Sequence, residues 1–317
     1  MKIILSKKGF DNTYGKVPSP VFDKEGTKFI SMPIPAVNAC DEIMYSKIEY
    51  YNHNLGNLIK KLGGKEQGEN GQPLEANSLC HFDPQLVKNA NETNENWKPL
   101  FGQAGSAQGQ LSQQGIKASD LFLFYGRFQR VNEKTEYIGK PFSAIYGWLR
   151  VEKCIDLVKD DAGKYLTKED KDKIGEDNPC ITKHPHFDWH PKTKNENNAI
   201  YTAQDAGLFD RLYILTEANV ETNIENRNIE NIKFSDAITD WILPKCLSPL
   251  NDVNVTLSSN AIDATYNKGA AKRWKENNDE TCKLRAYGRN QEFILNYDNA
   301  TEDTKTKINK WVRDLFA

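Results

Sequence analysis

Three of the chain's five histidines fall within eight positions, HPHFDWHP (184–191), together with Asp188. The alternation His184, His186, Asp188, His190 would put all four side chains on one face of an extended segment, because strand side chains repeat every two residues. Imidazole and carboxylate on one face suit a first-row transition metal or proton transfer. Pro185 and Pro191 interrupt a regular strand, so a metal site, a catalytic loop and a polar structural loop all stand as readings. No metal is assigned and no cofactor is identified. In CHFDPQL (80–86) Asp83 follows His81 by two positions. A histidine titrating near neutrality beside a carboxylate can move protons. Alternatively Asp83 caps a helix starting at Pro84.

Two glycine-bearing loops extend the search. KKGFD (7–11) follows the first apolar run, and Gly9 would let backbone approach a ligand between Lys8 and Asp11. LFGQAGSAQGQL (100–111) enters a helix whose free N–H groups attract anions. It lacks the Lys-Ser/Thr ending of a phosphate-binding P-loop. KGAAKRWK (268–275) groups four positive charges with Trp274, and a solvated helix face is expected there.

These residues need elements to hold them. KIIL (2–5) predicts a first strand and FISMPIP (29–35) an apolar run. NLGNLIKKL (54–62) has one apolar helical face, with Gly63 just past its end. SAQGQLSQQG (106–115) predicts a helix with Ser106 as cap. The strongest strand signals are DLFLFYGRF (120–128) and SAIYGWLRVEKCIDL (143–157), with glycine kinks at Gly126 and Gly147. AIYTAQ (199–204), RLYILT (211–216) and QEFILNY (291–297) add short strands, KDDAGKYLTKEDKDKIGED (159–177) reads as a charged excursion, and residues 303–316 form an amphipathic helix. The expected fold is α+β: one elaborated domain over 1–317, around a curved, mostly antiparallel sheet, with a barrel-like core within 119–216 and the terminal helix at 303–317.

Forty-two Lys and Arg nearly balance forty-four Asp and Glu, so no global positive field draws the protein onto polyanions. A small nucleotide, a single strand or a partner-delivered base is favoured over bare duplex. The six cysteines show no CxxC pair and read as reduced thiols of a cytoplasmic protein. The run Ile3-Ile4-Leu5 is too short for a signal or membrane segment.

SKKGFD, VPSP, MPIP, HFDP, PLFGQ, AQGQL, SDLFLFYGRF, IYGWL, HPH, IYTA and QEFIL occur here in the order found in one known family. Over residues 2 to about 297 the chain resembles the nucleotide modification associated domain 3 family of bacteria and their phages. Lys7 stands where that family usually has arginine, which keeps the charge but loses the bidentate fork, and Ser119-Asp120 stands where it tends to read Gly-Asp. The resemblance implies an association with systems that modify bases in nucleic acid, including their protein partners. Its matching positions single out Lys8, Asp11, His81, Asp83, Gln103, Gln108, Arg127, His184, His186, Gln291 and Glu292. Residues 119–151 also look like the strand pair of PUA-like barrels such as EVE and ASCH domains, which hold an extruded base against aromatic rings. Phe124, Tyr125, Phe128 and Trp148 would offer such faces, each worth roughly 1–3 kcal/mol per base, although strand aromatics usually pack in a core. HPHFDWHP is similar to the HxHxDH of metallo-β-lactamase-type hydrolases, but Trp189 intervenes and no histidine lies downstream of it.

The expected function is modification of a nucleobase or nucleotide held in a polar pocket. His81 is then the acid/base, Asp83 or Asp11 its orienter, Lys8 and Arg127 are phosphate contacts, and amide side chains read the base edge. A non-catalytic reader of a modified or flipped base is one alternative. A metal-dependent hydrolase built on HPHFDWHP is the other.

Overall fold

The computed structural model describes residues 1–37, 41, 43–67, 70–93, 95–160, 162–189, 197–219, 229, 232–258, 273–286 and 292–317. Its α-helices are α1 (Leu55–Leu62), α2 (Gly105–Gln113), α3 (Lys168–Asp177) and α4 (Glu302–Leu315). The strands that matter for the site are β1 (Lys2–Lys7), β2 (Ser19–Val21), β3 (Leu79–His81), β4 (Leu100–Ala104), β5 (Leu121–Val131), β6 (Tyr137–Asp156), β7 (Asn198–Ile214), β8 (Asp240–Pro244), β9 (Thr256–Ser258), β10 (Trp274–Glu276), β11 (Thr281–Arg285) and β12 (Glu292–Asn296). The fold is α+β, dominated by a curled, mostly antiparallel sheet that forms a half-barrel. Its strand order is β9-β12-β1-β5-β6-β7-β4, and β2 pairs with β5 beside that path. The pairs β1/β5 and β2/β5 are parallel.

Both faces of this sheet are covered, so its strands read as near-continuous apolar runs. On one face Ile3, Leu5, Leu121, Leu123 and Tyr125 pack with residues of β8, β11 and α4. On the other face Ile4, Phe122, Phe124 and Phe128 join Phe101 and Tyr201. The period of two then carries Ser6, Gln103 and Glu292 onto that second face, in step with Ile4, Phe101 and Ile294. Polar side chains thus line an otherwise aromatic concavity.

Several elements match the sequence reading. In α1, Asn54 accepts from Asn57 N–H, the buried face is Leu55, Leu58, Ile59 and Leu62, and Gly63 takes the left-handed φ of 71°. Gly147 lies at a break in register between β6 and both of its neighbours, a bulge that bends the sheet. In α4, Ile308, Val312 and Leu315 are buried and Trp311 packs beside them.

Others need correction. Ser106 does not cap α2, which starts at Gly105 with no side-chain cap at Ala104. The two strands expected in 199–216 are one 17-residue strand, β7, because pairing with β6 resumes after each of its register shifts and carries the strand past the polar break at Gln204-Asp205. The charged excursion contains α3, held at its start by a reciprocal bond between Thr167 and Asp170. Of FISMPIP only Ile34–Pro35 is a strand. In KGAAKRWK, positions 268–272 lie outside the described residues, and Trp274 is buried in β10 instead of facing solvent from a helix. Among the described residues no helix is long and apolar enough to cross a membrane.

The curl decides the geometry of the site. β1 and β4 are separated by three strands in the sheet order. The residue just past β1 nevertheless meets β4, because Lys8 Nζ sits 4.3 Å over the Phe101 ring and reaches Gly102 O at 3.4 Å. Gln103 of β4 likewise bonds Glu292 of β12.

A buried imidazole and carboxylate cluster at the sheet seam

Asp83, just past β3, anchors the seam. Its Oδ1 accepts Gly102 N–H at 2.7 Å and faces His184 Nε2 at 3.2 Å, while its Oδ2 lies 3.2 Å from Lys8 Nζ. No helix starts at Pro84, so Asp83 caps none; its carboxylate ties the β3 end to the edge of β4. Burial works against the Asp83 charge, yet the Lys8 ammonium and the His184 bond outweigh it and hold the carboxyl well below the usual carboxylate range.

Residues 184–189 of HPHFDWHP form a turn instead of a strand. His184 N–H bonds Ile181 O and Phe187 N–H bonds His184 O, so the chain folds back and points both His184 and His186 inward. Asp188 is exposed, and His190 lies outside the described residues. Pro185, between the two histidines, explains why the extended alternation fails there. His186 N–H donates to His184 Nδ1 at 3.3 Å, which leaves His184 Nε2 protonated and donating to Asp83. Burial lowers the His184 pKa, partly offset by Asp83. Burial and the adjacent His81 push His186 down to about 3.

His81 Nδ1 bonds Asp41 Oδ1 at 2.6 Å, and its Nε2 lies 3.1 Å from His186 Nε2. Asn198, the first residue of β7, faces His186 Nδ1 with Oδ1 at 2.7 Å and donates from Nδ2 to His186 O at 2.7 Å. Gly102 makes this packing fit: a Cβ there would stand 2.2 Å from His186 Cδ2 and 2.7 Å from His184 Cε1. On the concave side Glu292 Oε1 accepts from Ser6 Oγ at 3.0 Å and from Gln103 Nε2, while the buried Oε2 has no hydrogen-bond partner among the described residues. Burial raises the Glu292 carboxyl to about 7, against the pull of Lys8, Ser6 and Gln103.

Lys8, His81, Asp83, His184, His186, Gln103 and Glu292 therefore meet at one seam. The remaining sequence candidates do not. Asp11 pairs with Lys7 at 2.6 Å and caps its own turn through Thr13 and Tyr14, so it does not orient His81. Arg127 bonds Asn12. Gln108 is buried against Ser112 and Tyr201. Tyr125 is a core residue against Trp241 and Phe293, and Trp148 packs on Phe316. Gln291 lies outside the described residues. The residues missed by sequence reading are Asp41, Asn198, Ser6 and Gly102. Asp41 carries no local signal, being 40 positions from the ring it holds.

A cavity beside Asp83 is walled by Phe29, Tyr50, Phe82 and Tyr146, with Tyr51 at its rim. It encloses about 50 Å³, or about 510 Å³ counted out to its solvent mouth. A larger cavity of about 1270 Å³ beside Trp148, Tyr213 and Trp311 touches none of the cluster residues.

An α+β half-barrel with buried imidazoles and carboxylates gathered at its seam is an arrangement suited to handling a small polar group out of water. The chain belongs to the nucleotide modification associated domain 3 family, whose model matches residues 2–296. No curated protein and no solved structure matches it.

Proposed function

We propose that the chain modifies a nucleobase or nucleotide within a nucleic-acid modification system, with the seam cluster as its reacting centre. The base is free, single-stranded, flipped or delivered by a protein partner, which suits a chain of formal net charge −2. It enters past Tyr51 and rests against the aromatic wall beside Asp83. The enclosed space is small, so the ring lies mainly in the mouth and only its reacting edge reaches inward. Asp83 is the seam residue that lines this cavity. Glu292, which does not line it, is the seam's proton reservoir, because a carboxyl with one oxygen unbonded among the described residues and a pKa near neutrality exchanges a proton most readily. Gln103 fixes that carboxyl, and Lys8 supplies the positive charge.

One observation carries this reading. His81, Asp83, His184, His186, Gln103 and Glu292 are each at most 7% exposed, although apolar residues would fill the seam at lower cost. Titrating the full chain with ordinary and modified nucleosides and their monophosphates, with mass spectrometry of the recovered ligand, tests it. The expected result is a ligand that binds and changes mass, with Glu292→Gln binding but leaving the mass unchanged. Binding without a mass change would make the protein a reader. Absence of binding across the series contradicts the proposal.

A further inference from the structure

The outer partners of His81 and His186 determine which ring nitrogens carry hydrogen. Asn198 donates from Nδ2 to His186 O, so the atom facing His186 Nδ1 at 2.7 Å is the amide oxygen, an acceptor only. His186 Nδ1 therefore holds a hydrogen and Nε2 presents a lone pair. Asp41 Oδ1, 2.6 Å from His81 Nδ1, accepts the hydrogen held there, so a neutral His81 ring presents a lone pair on Nε2. The two Nε2 atoms face each other at 3.1 Å. At that distance the two nitrogens share one positive centre, either a proton or a metal ion bound to both.

We infer that His81 Nε2, His186 Nε2 and the Asp83 carboxylate form a binding site for one divalent first-row transition metal ion. The ligand atoms offered by these three residues all lie within 4.8 Å of one another. Two imidazole nitrogens bound at about 2.0–2.1 Å to one tetrahedral ion sit roughly 3.3–3.4 Å apart, close to the separation found. Two imidazoles and one carboxylate suit zinc, iron, cobalt or manganese over calcium or magnesium, which favour all-oxygen shells. Asp41 on His81 and Asn198 on His186 act as the outer groups that orient metal-bound imidazoles. His184 and Gly102 N–H hold the Asp83 carboxyl in the same way. Three protein ligands leave room for water or a substrate atom on the ion. This set differs from the four alternating residues of HPHFDWHP, of which only His186 takes part. The inference stands on side-chain geometry alone and does not depend on the nucleobase reading.

The test uses the full chain, stripped with a chelator and then titrated with Zn²⁺ and with Co²⁺, with bound metal counted by mass spectrometry and the cobalt site followed by its visible absorption. One ion per chain is expected, with imidazole-type cobalt bands. His81→Ala and His186→Ala lose the ion, Asp41→Asn weakens it ten- to hundredfold, and His53→Ala, whose ring stacks on Phe22 away from the cluster, retains it. Because ring deletions could unfold the seam, a second measurement uses the unaltered protein. Nitrogen NMR of its imidazoles should show Zn²⁺ moving the Nε2 signals of His81 and His186 while those of His53 stay fixed. Failure to take up stoichiometric metal, or uptake that leaves both Nε2 signals unmoved, overturns the inference.

Discussion

His81 and His186, 105 positions apart, bring their Nε2 atoms to 3.1 Å with ring centroids 5.0 Å apart and planes inclined at 66°. Each ring is fixed from behind, His81 by Asp41 and His186 by Asn198, so the approach is enforced by separate segments. Three regions of the chain, around 41, 81 and 186–198, are thus committed to placing two imidazoles together beside an ionised carboxylate.

Gly102→Ala tests how tightly β4 and the histidine turn are fitted. The added methyl would collide with both His184 and His186, and overpacking of this kind costs about 1–3 kcal/mol. Denaturant unfolding should show that loss, and ligand or metal binding should fall with it. An unchanged midpoint would mean that the turn relaxes freely.

Lys8→Met should destabilise by about 3–5 kcal/mol, because it leaves the fully buried Asp83 carboxylate without its cation. Asp83→Asn added to Lys8→Met should recover part of that loss, since the buried charge is then gone. A double-mutant cycle measured by urea unfolding gives the coupling, and additive effects would contradict the pairing.

The Glu292 pKa of about 7 lies above the ordinary carboxyl value, so the folded state binds the extra proton between about 4.3 and 7. Its contribution to stability is complete below that window and is lost as pH rises through it, by roughly 3 kcal/mol. His184 and His186 have lowered pKa values and act oppositely, adding stability as pH rises toward about 6.5. Asp83, held far below its ordinary value, contributes a constant amount across this range. Glu292→Gln cancels only the first effect, so wild type minus variant should decline from about pH 4.3 to 7 and then level off. A flat difference would show that the carboxyl titrates normally.

Tyr51, 61% exposed at the cavity mouth, and Tyr125, 4% exposed, separate ligand contact from packing. Tyr51→Ala should alter stability by less than about 0.5 kcal/mol and lower base affinity by roughly 1–3 kcal/mol, the worth of one stacked ring. Tyr125→Ala should cost about 3–5 kcal/mol in stability. Thermal unfolding and nucleoside titration distinguish the two.

The fold class was legible because its signals are local. KIIL, DLFLFYGRF and the terminal amphipathic helix carry their own periodicity, and Asn54 and Gly63 mark the ends of α1. β7 was harder, because pairing with β6 is non-local and carries the strand through polar residues. For the site, His81, Asp83, His184, His186, Lys8, Gln103 and Glu292 were identifiable from residue type, short spacing and family likeness. Asp41 and Asn198 were not, since an orienting group is recognised only when the fold brings it to its ring. The same dependence on the fold removed Asp11, whose short spacing to Lys7 satisfies it locally. It also sent Tyr125 and Trp148 into packing, where strand aromatics generally go.

The central claim is that the seam between β1, β4 and β12 is where a nucleobase is handled. Following the imidazole nitrogen signals of His81, His184 and His186 during titration with a nucleoside that binds tests it most directly. These signals are expected to shift and saturate together with binding. Shifts confined to residues around the Trp148 cavity, with all three imidazoles unmoved at saturation, would contradict the account.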